Sequence, residues 1–451
     1  MNTLILAIAL SVSAPPPDTL VVCPPAFEPA LQPWLDYRRS QGHVIVVVPN
    51  TGSAADIRQR IRANAQNGSL KYLLLIGDAP ASAVKQFRVP LLGSSNAATK
   101  SEDRALRIPA HYSPAKITLR WGGEPLIATD NYYADLDDDL SPDLAVGRLT
   151  ADSPDELTAM IEKIISYERN DDVGPWRRRI NFVAGNGGFG QWVDKLLERV
   201  AGNIIRRHVP ATYQSTIAYA AWQTPPSQPD RFREKVIARL NEGGAFWVYI
   251  GHGDQRSFGN VVRSPVTHWQ PIFSADDVWR LKPLGGPSIA LFLACRTGGF
   301  DKREDCLAEE LLRARAGPVA VIAGSRVTMP YAMTILGLGM MTETFENRRA
   351  TIGEIFLYAK RRLLPPASDH RVGLATVVAV SSAFELIPAD VIPVTQRMAA
   401  LRIVRLLGTL PADLMKERAE HVALFNLFGD PLLRLRHPPP LLEAGRPLRS
   451  F

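Results

Sequence analysis

Cysteine is scarce in this chain, three residues in 451. Three thiols cannot complete a framework of bridges, which excludes a disulfide-stapled scaffold. Aromatic side chains make up only 8% of the sequence, and no long basic run accompanies them. The stacking platform and phosphate-tracking stripe of a nucleic-acid binder are therefore missing, and no nucleic-acid partner is expected. The net charge of +7 comes from scattered arginines, among them Arg38-Arg39, Arg177-Arg178-Arg179 and Arg361-Arg362, and reads as solvated surface. Beyond the first residues no apolar run is long enough to span a bilayer. Hydrophobic residues at 46% and charged residues at 22% exclude a disordered chain. A chain of this length buries a large core and is expected to hold two α/β units.

What is present is a pair of apolar runs, each stopping at a reactive side chain flanked by small residues. They are Phe246-Trp-Val-Tyr-Ile-Gly-His252-Gly253 and Ser288-Ile-Ala-Leu-Phe-Leu-Ala-Cys295-Arg-Thr-Gly, with His252 and Cys295 43 positions apart. Runs of this kind read as parallel strands covered on both faces. In an open α/β sheet the crevice beyond the strands' carboxyl ends is the ligand site, so His252 and Cys295 are expected on one catalytic edge. An imidazole within reach of a thiol takes its proton and makes the sulfur a nucleophile. Gly253 leaves its backbone uncovered, so its N–H and that of Cys295 form a candidate oxyanion hole. Either residue alone reads as an inert buried thiol or a loop histidine; the ordered pair points to acyl transfer. With Cys295 so used, Cys23 and Cys306 are expected to be buried unpaired thiols.

Further chemistry lies upstream. Asp152 follows the apolar stretch Leu144 to Leu149 and precedes Ser153-Pro-Asp-Glu156, a capping box for the next helix. A carboxylate at that strand end could orient the second ring nitrogen of His252; the plainer alternative is favourable placement at a helix N-terminus. Asp135, Asp137, Asp139 and Asp143 fall at alternate positions like the first, third, fifth and ninth ligands of a calcium loop, with the Ser141 carbonyl at the seventh. Leu140 stands where the loop's glycine belongs, and no glutamate closes it; the alternative is a solvated acidic turn.

Along the chain, Thr19 to Val22, Val44 to Val48 and Leu70 to Ile76 read as buried strands, with helices around Leu31 to Ser40 and after Ser53, a capping serine. From about Val84 to Tyr133 the alternation gives way to a long irregular excursion, and it restarts at Ile180. Residues 1–14 are apolar and end in Ser11-Val-Ser-Ala14, reading as a signal peptide and an exported protein, although the basic n-region is absent. The expected organisation is an N-terminal unit over 18–172, a catalytic unit over 173–437, and a tail over 438–451, with no long propeptide and no further folded domain.

The order of His then Cys, each after a hydrophobic strand, is the caspase-like layout. Leu293-Ala-Cys295-Arg-Thr-Gly-Gly-Phe-Asp301 and Tyr249-Ile-Gly-His252-Gly253 resemble the gingipain family of bacterial cysteine peptidases, as do Asp143-Leu-Ala-Val-Gly-Arg-Leu-Thr-Ala-Asp152-Ser, Ser166-Tyr-Glu-Arg-Asn and Leu424-Phe-Asn-Leu-Phe-Gly-Asp-Pro. The resemblance implies mostly parallel caspase-like sheets flanked by helices in two tandem subdomains, and a cysteine endopeptidase acting on protein or peptide substrates. It implies a third catalytic member, glutamate or aspartate, at Asp152, and cleavage after Arg or Lys with Glu162 lining the primary pocket. It also implies a bound calcium, although the chemistry itself needs no cofactor. Tyr331, in the loop after Pro318-Val-Ala-Val-Ile-Ala, reaches the catalytic edge and is expected to wall the pocket. The alternatives are a non-catalytic caspase-like binding module, or a peptide ligase or amidase using the same dyad.

Overall fold

Fourteen short strands and nine helices are described in the computed structural model, which covers residues 15–82, 103–172, 174–185, 207–219, 229–259, 271–364 and 411–438. The chain opens with β1 (Thr19–Cys23), α1 (Glu28–Ser40), β2 (Ile45–Pro49), α2 (Ala54–Ala65) and β3 (Tyr72–Ile76). A hairpin of β4 (His111–Pro114) and β5 (Leu126–Thr129) follows, then α3 (Asn131–Ala134), β6 (Ala145–Leu149) and α4 (Pro154–Arg169). Next come β7 (Arg179–Ala184), β8 (Gln214–Tyr219), α5 (Pro229–Asn241), β9 (Phe246–Ile250), the two-residue strands β10 (Gly253–Asp254) and β11 (Ser257–Phe258), and β12 (Ile289–Leu293). The chain closes through α6 (Leu307–Arg313), β13 (Ala320–Gly324), α7 (Pro330–Met341), α8 (Ile352–Arg361), α9 (Pro411–Leu424) and β14 (Phe425–Phe428). The leader over 1–14 and the tail beyond 438 lie outside the described residues, as does much of the irregular excursion; its described part contains the β4–β5 hairpin. No described helix is long and apolar enough to cross a membrane.

Ten strands form one sheet in the order β2-β1-β3-β6-β14-β13-β12-β9-β7-β8. Neighbours are parallel except at one seam, where β13 and β14 run antiparallel with Val321 opposite Phe428 and Gly324 opposite Phe425. This fits α/β sequences whose β-branched and leucine-rich strands bury both faces: β1, β3, β6, β12, β13 and β14 are buried throughout. The seam splits the sheet into two halves whose strands point in opposite directions. β14, from the end of the chain, sits at the seam, parallel to β6 on one side and antiparallel to β13 on the other.

Local signals set several boundaries. Ser53 accepts the Asp56 N–H while the Asp56 carboxylate accepts the Ser53 N–H, closing a reciprocal cap at the start of α2. At α4, Ser153 accepts the Glu156 N–H as expected, but the Glu156 side chain takes the amide of Asp152 instead of that of Ser153. Cys23 and Cys306 are buried thiols outside any disulfide, and burial pushes the Cys23 pKa up to about 12.

The residues after β14 are tied to the first helix by a fully buried charge cluster. Arg38 on α1 lies 2.5 Å from Asp430 and 2.9 Å from Glu168 on α4, and the Trp34 indole N–H donates to Asp430 at 2.6 Å. Arg38 and Asp430 are both wholly inaccessible to solvent, so each charge depends on the other for solvation. Replacing Asp430 with alanine leaves Arg38 to Glu168 alone and strands the Trp34 donor, and should lower unfolding stability by about 1–3 kcal/mol. Urea denaturation checks this; a loss below about 1 kcal/mol, the scale of an exposed pair, would show that the cluster does not brace the sheet.

Candidate active site

The register between β9 and β12 pairs Leu293 with Ile250. Cys295 and His252 each lie two residues beyond that last pair, at equivalent points past neighbouring parallel strands, whose usual spacing is about 4.8 Å. The structure thus brings the two reactive residues to one edge. Tight turns hold them there. The Tyr249 hydroxyl and the Gly259 N–H both donate to the His252 carbonyl at 2.7 Å, fixing the backbone while the imidazole stays exposed. Gly251 adopts φ +154 and donates its N–H to Leu293 O at 3.3 Å, tying one loop to the other. A Cβ at Gly253 would sit 2.6 Å from the Cys295 carbonyl oxygen, so only glycine permits this approach.

Around the sulfur the decisive contact is backbone. The Thr328 N–H points at Cys295 Sγ at 3.3 Å, and the Thr328 hydroxyl lies 3.6 Å away and donates to Met333 Sδ at 3.0 Å. The Thr328 carbonyl lies 3.7 Å from the same sulfur, so one residue faces Cys295 with both of its backbone groups. The next residue, Arg296, has a left-handed φ of +60, a conformation a non-glycine residue holds only when its surroundings enforce it. Its N–H is taken by Arg326 O at 2.9 Å. Arg326 in turn forms a buried bidentate pair with Asp301 at 2.6 and 2.8 Å, which locks the loop after Cys295 to the loop after β13. The Asp301 carboxyl is held below its usual range by the Arg326 bonds and charge, against the opposing and larger effect of burial.

The loop after β13 is held from behind by α9. Buried His421 accepts the Met329 N–H through Nε2 at 2.8 Å, while its Nδ1 lies 2.7 Å from Glu417 O. A backbone N–H only donates and a carbonyl only accepts, so the ring carries its proton on Nδ1 and is neutral. Burial agrees, pushing the His421 pKa down to about 4. Glu417 accepts the Ala332 N–H at 3.0 Å, and burial pushes its carboxyl up to about 7. Glu420 accepts the Ile117 and Thr118 amides at 2.6 and 3.1 Å, binding the stretch between β4 and β5 to the same helix. Neither His421 nor Thr328 was visible in sequence as a site residue: His421 is one histidine in an amphipathic helix, and Thr328 acts through its amide.

Other expected site residues lie elsewhere. Asp152 follows β6, which runs opposite to β9 and β12, so it emerges at the far edge of the sheet from Cys295. There it lies 2.5 Å from Arg107 and 3.4 Å from Arg313, within a cluster that includes Asp78 and Asp305. Burial lifts its carboxyl above the ordinary range, against the Arg313 charge. It does not orient His252. Glu162 is largely exposed on α4, 3.8 Å from Arg315, and Arg315 lies on the connection leading into the start of β13, again at the far edge. Tyr331 is the second residue of α7, three positions past Thr328, half-buried against the core, with Arg418 of α9 interacting with its hydroxyl.

The acidic turn is partly convergent: carboxylate oxygens of Asp135, Asp137 and Asp143 lie within 4.8 Å of one another, and Asp139 is outside that group. Those carboxylates already serve the turn itself. Asp135 accepts the Asp138 and Leu140 amides, Asp143 accepts the Leu136 amide, and Asp139 accepts the Ser141 amide, at 2.7 to 3.0 Å. Arg58 supplies positive charge alongside, 2.5 Å from Asp138 and 3.6 Å from Asp135. The donor set resembles a capped acidic turn more than a complete calcium cage.

Comparison with known proteins gives these features a context. Lys-gingipain of Porphyromonas gingivalis strain ATCC 33277 is 23% identical over 314 residues, 69% of this chain but 16% of that protein. Gingipain R2 of Porphyromonas gingivalis strain W83 is 23% identical over 342 residues, 72% of this chain and 39% of that protein. The chain thus spans well under half the length of these relatives. The crystal structure of the Arg specific cysteine proteinase gingipain R superposes with a TM-score of 0.61 at 19% identity, covering 94% of this chain and 79% of that one, a likeness of fold. The model of peptidase family C25 matches residues 12–436, and the chain belongs to that family.

Proposed function

We propose that the protein is a cysteine endopeptidase in which Cys295 and His252 form the catalytic dyad. The observation that supports this most directly is the register that sets both residues two positions past paired strand ends, with the Thr328 amide on the sulfur. Cys295 thiolate attacks the scissile carbonyl, and the resulting oxyanion is received by the amides of Gly253 and Cys295. His252, protonated, gives its proton to the leaving amine as the carbon–nitrogen bond breaks, leaving a thioester on Cys295. His252 then takes a proton from water, whose oxygen attacks the thioester; the acid leaves and the Cys295 thiolate is restored beside protonated His252. The chemistry uses no cofactor. Asp152 has no part in it, and His252 works as a member of a dyad.

Cleavage after Arg or Lys rests on the specificities named for the relatives, because Glu162 does not face the dyad. The reading does not depend on calcium, since Asp135 and Asp143 already accept the turn's own amides. Export rests on the apolar stretch Met1 to Ala14.

A positional peptide library tests the reaction. Wild-type protein should yield hydrolysed fragments with a basic residue before the cut, and Cys295→Ala should yield none; transpeptidated products would favour a ligase, and equal inactivity of both would end the peptidase reading. Gly253→Ala should lower kcat by about 10²–10³, the cost of losing one oxyanion donor. Asp152→Asn discriminates between the two edges of the sheet. A triad carboxylate costs on the order of 10⁴ in kcat when so changed, whereas here kcat should stay within about tenfold while thermal stability falls.

A further inference from the structure

We infer that His421 is a positioning residue for the nucleophile, holding the Thr328 amide against Cys295 Sγ from a helix that contributes nothing to the dyad. This rests on the peptidase reading proposed above. The chain of contacts is short and continuous. His421 Nε2 accepts the Met329 N–H at 2.8 Å, Met329 is bonded through its peptide to Thr328, and the Thr328 N–H lies 3.3 Å from the sulfur. One turn earlier on α9, Glu417 accepts the Ala332 N–H at 3.0 Å, so two side chains of one helix hold two amides, those of Met329 and Ala332, at the start of α7.

The geometry requires an acceptor at this point. Met329 is the residue before Pro330, the first residue of α7, and its amide is among those a helix start leaves without an intrahelical partner. Met329 has no side-chain cap of its own. The amide is buried, so without His421 it would need water or a shift of the loop. A shift of a few tenths of an ångström in residues 328–329 would lengthen a sulfur contact already at 3.3 Å. The ring is suited to the task because burial keeps it neutral, against the opposing pull of the Glu417 carbonyl, and the Nδ1–H bond to that carbonyl leaves Nε2 as the acceptor.

The experiment measures the rate at which iodoacetamide alkylates Cys295 across pH 4–9, beside peptide hydrolysis, in wild type, His421→Leu and His421→Gln. Leucine keeps the bulk and removes the acceptor; glutamine offers a carbonyl oxygen to the Met329 amide. In His421→Leu the alkylation midpoint should rise by about one pH unit and kcat should fall about tenfold with KM little changed. His421→Gln should recover at least half of each shift. A role confined to stability would lower the unfolding temperature and leave the alkylation profile where it was, and that result overturns the inference. If His421→Leu does not fold, Glu417→Leu is read in the same way: a raised midpoint supports the clamp and an unchanged one overturns it. A wild-type Cys295 that alkylates no faster than a free thiol and hydrolyses nothing overturns the peptidase reading itself, and this role with it.

Discussion

The antiparallel seam between β13 and β14 governs where everything else can be. It reverses the strand direction across the sheet, so the carboxyl ends of β9, β12 and β13 share an edge with the amino ends of β14 and β6. Reactive side chains from the second half of the chain meet on that edge, and those following strands of the first half are carried to the other. The seam is braced at both ends. Beyond Phe428, Asp430 enters the buried cluster with Arg38, Glu168 and Trp34. Before Phe425, α9 presents Glu417, Glu420 and His421 to the loops around the sulfur. One continuous segment, α9 with β14, therefore couples the integrity of the sheet to the geometry of the thiol.

Buried charge near this segment follows one rule. Arg148, fully buried on β6, makes a two-bond pair with Asp130 and donates its remaining nitrogen to the carbonyls of Gly77 and Ile108. Arg326 does the same with Asp301 and the Leu126 carbonyl. The planar guanidinium suits both sites because it satisfies a carboxylate bidentately and still has donors for carbonyls. Buried lysine is met in either way: Lys302 pairs with the Glu124 carboxylate, whereas Lys163 has carbonyls alone. Lys163 donates to Leu312 O and Ala314 O, and burial pulls its pKa down to about 7. Arg177, also buried, donates to the carbonyls of Asp172, Tyr167 and Asn170, so what each buried cation meets is a set of oxygen acceptors, carboxylate or carbonyl.

The strands that carry Cys295 and His252 were legible because runs buried on both faces have an unmistakable composition, and the glycines around them mark close backbone approach. The gingipain resemblance, the parallel sheets and the buried Cys23 and Cys306 were legible for similar reasons. Strand direction was not. An apolar run reads the same whichever way it lies in a sheet, so Asp152, correctly placed at a strand end, was assigned to the wrong edge. Glu162 depended on that assignment and left with it. The cap at α4 shows the same limit on a smaller scale: Ser153 and Glu156 announced the helix, but not that the glutamate would take the Asp152 amide. His421 had no signal at all, since its partner is a backbone amide 92 positions away.

Two separate clamps fix the sulfur's surroundings, and their chemistry makes them respond differently to solvent. The Asp301–Arg326 pair is ionic on both sides and wholly buried, so it survives any pH at which the carboxylate stays charged, and the arginine lowers the pH at which that charge is lost. The His421–Met329 bond depends on a neutral ring and would break on protonation, which burial postpones to about pH 4. Above that both clamps hold, and the loop carrying the Thr328 amide has no cause to move as His252 exchanges its proton with substrate. His252 stays exposed while the Asp301–Arg326 pair and the neutral His421 ring hold the loops around Cys295 from behind; Glu417, pushed by burial up to about 7, is a support on the same helix that changes charge near neutrality.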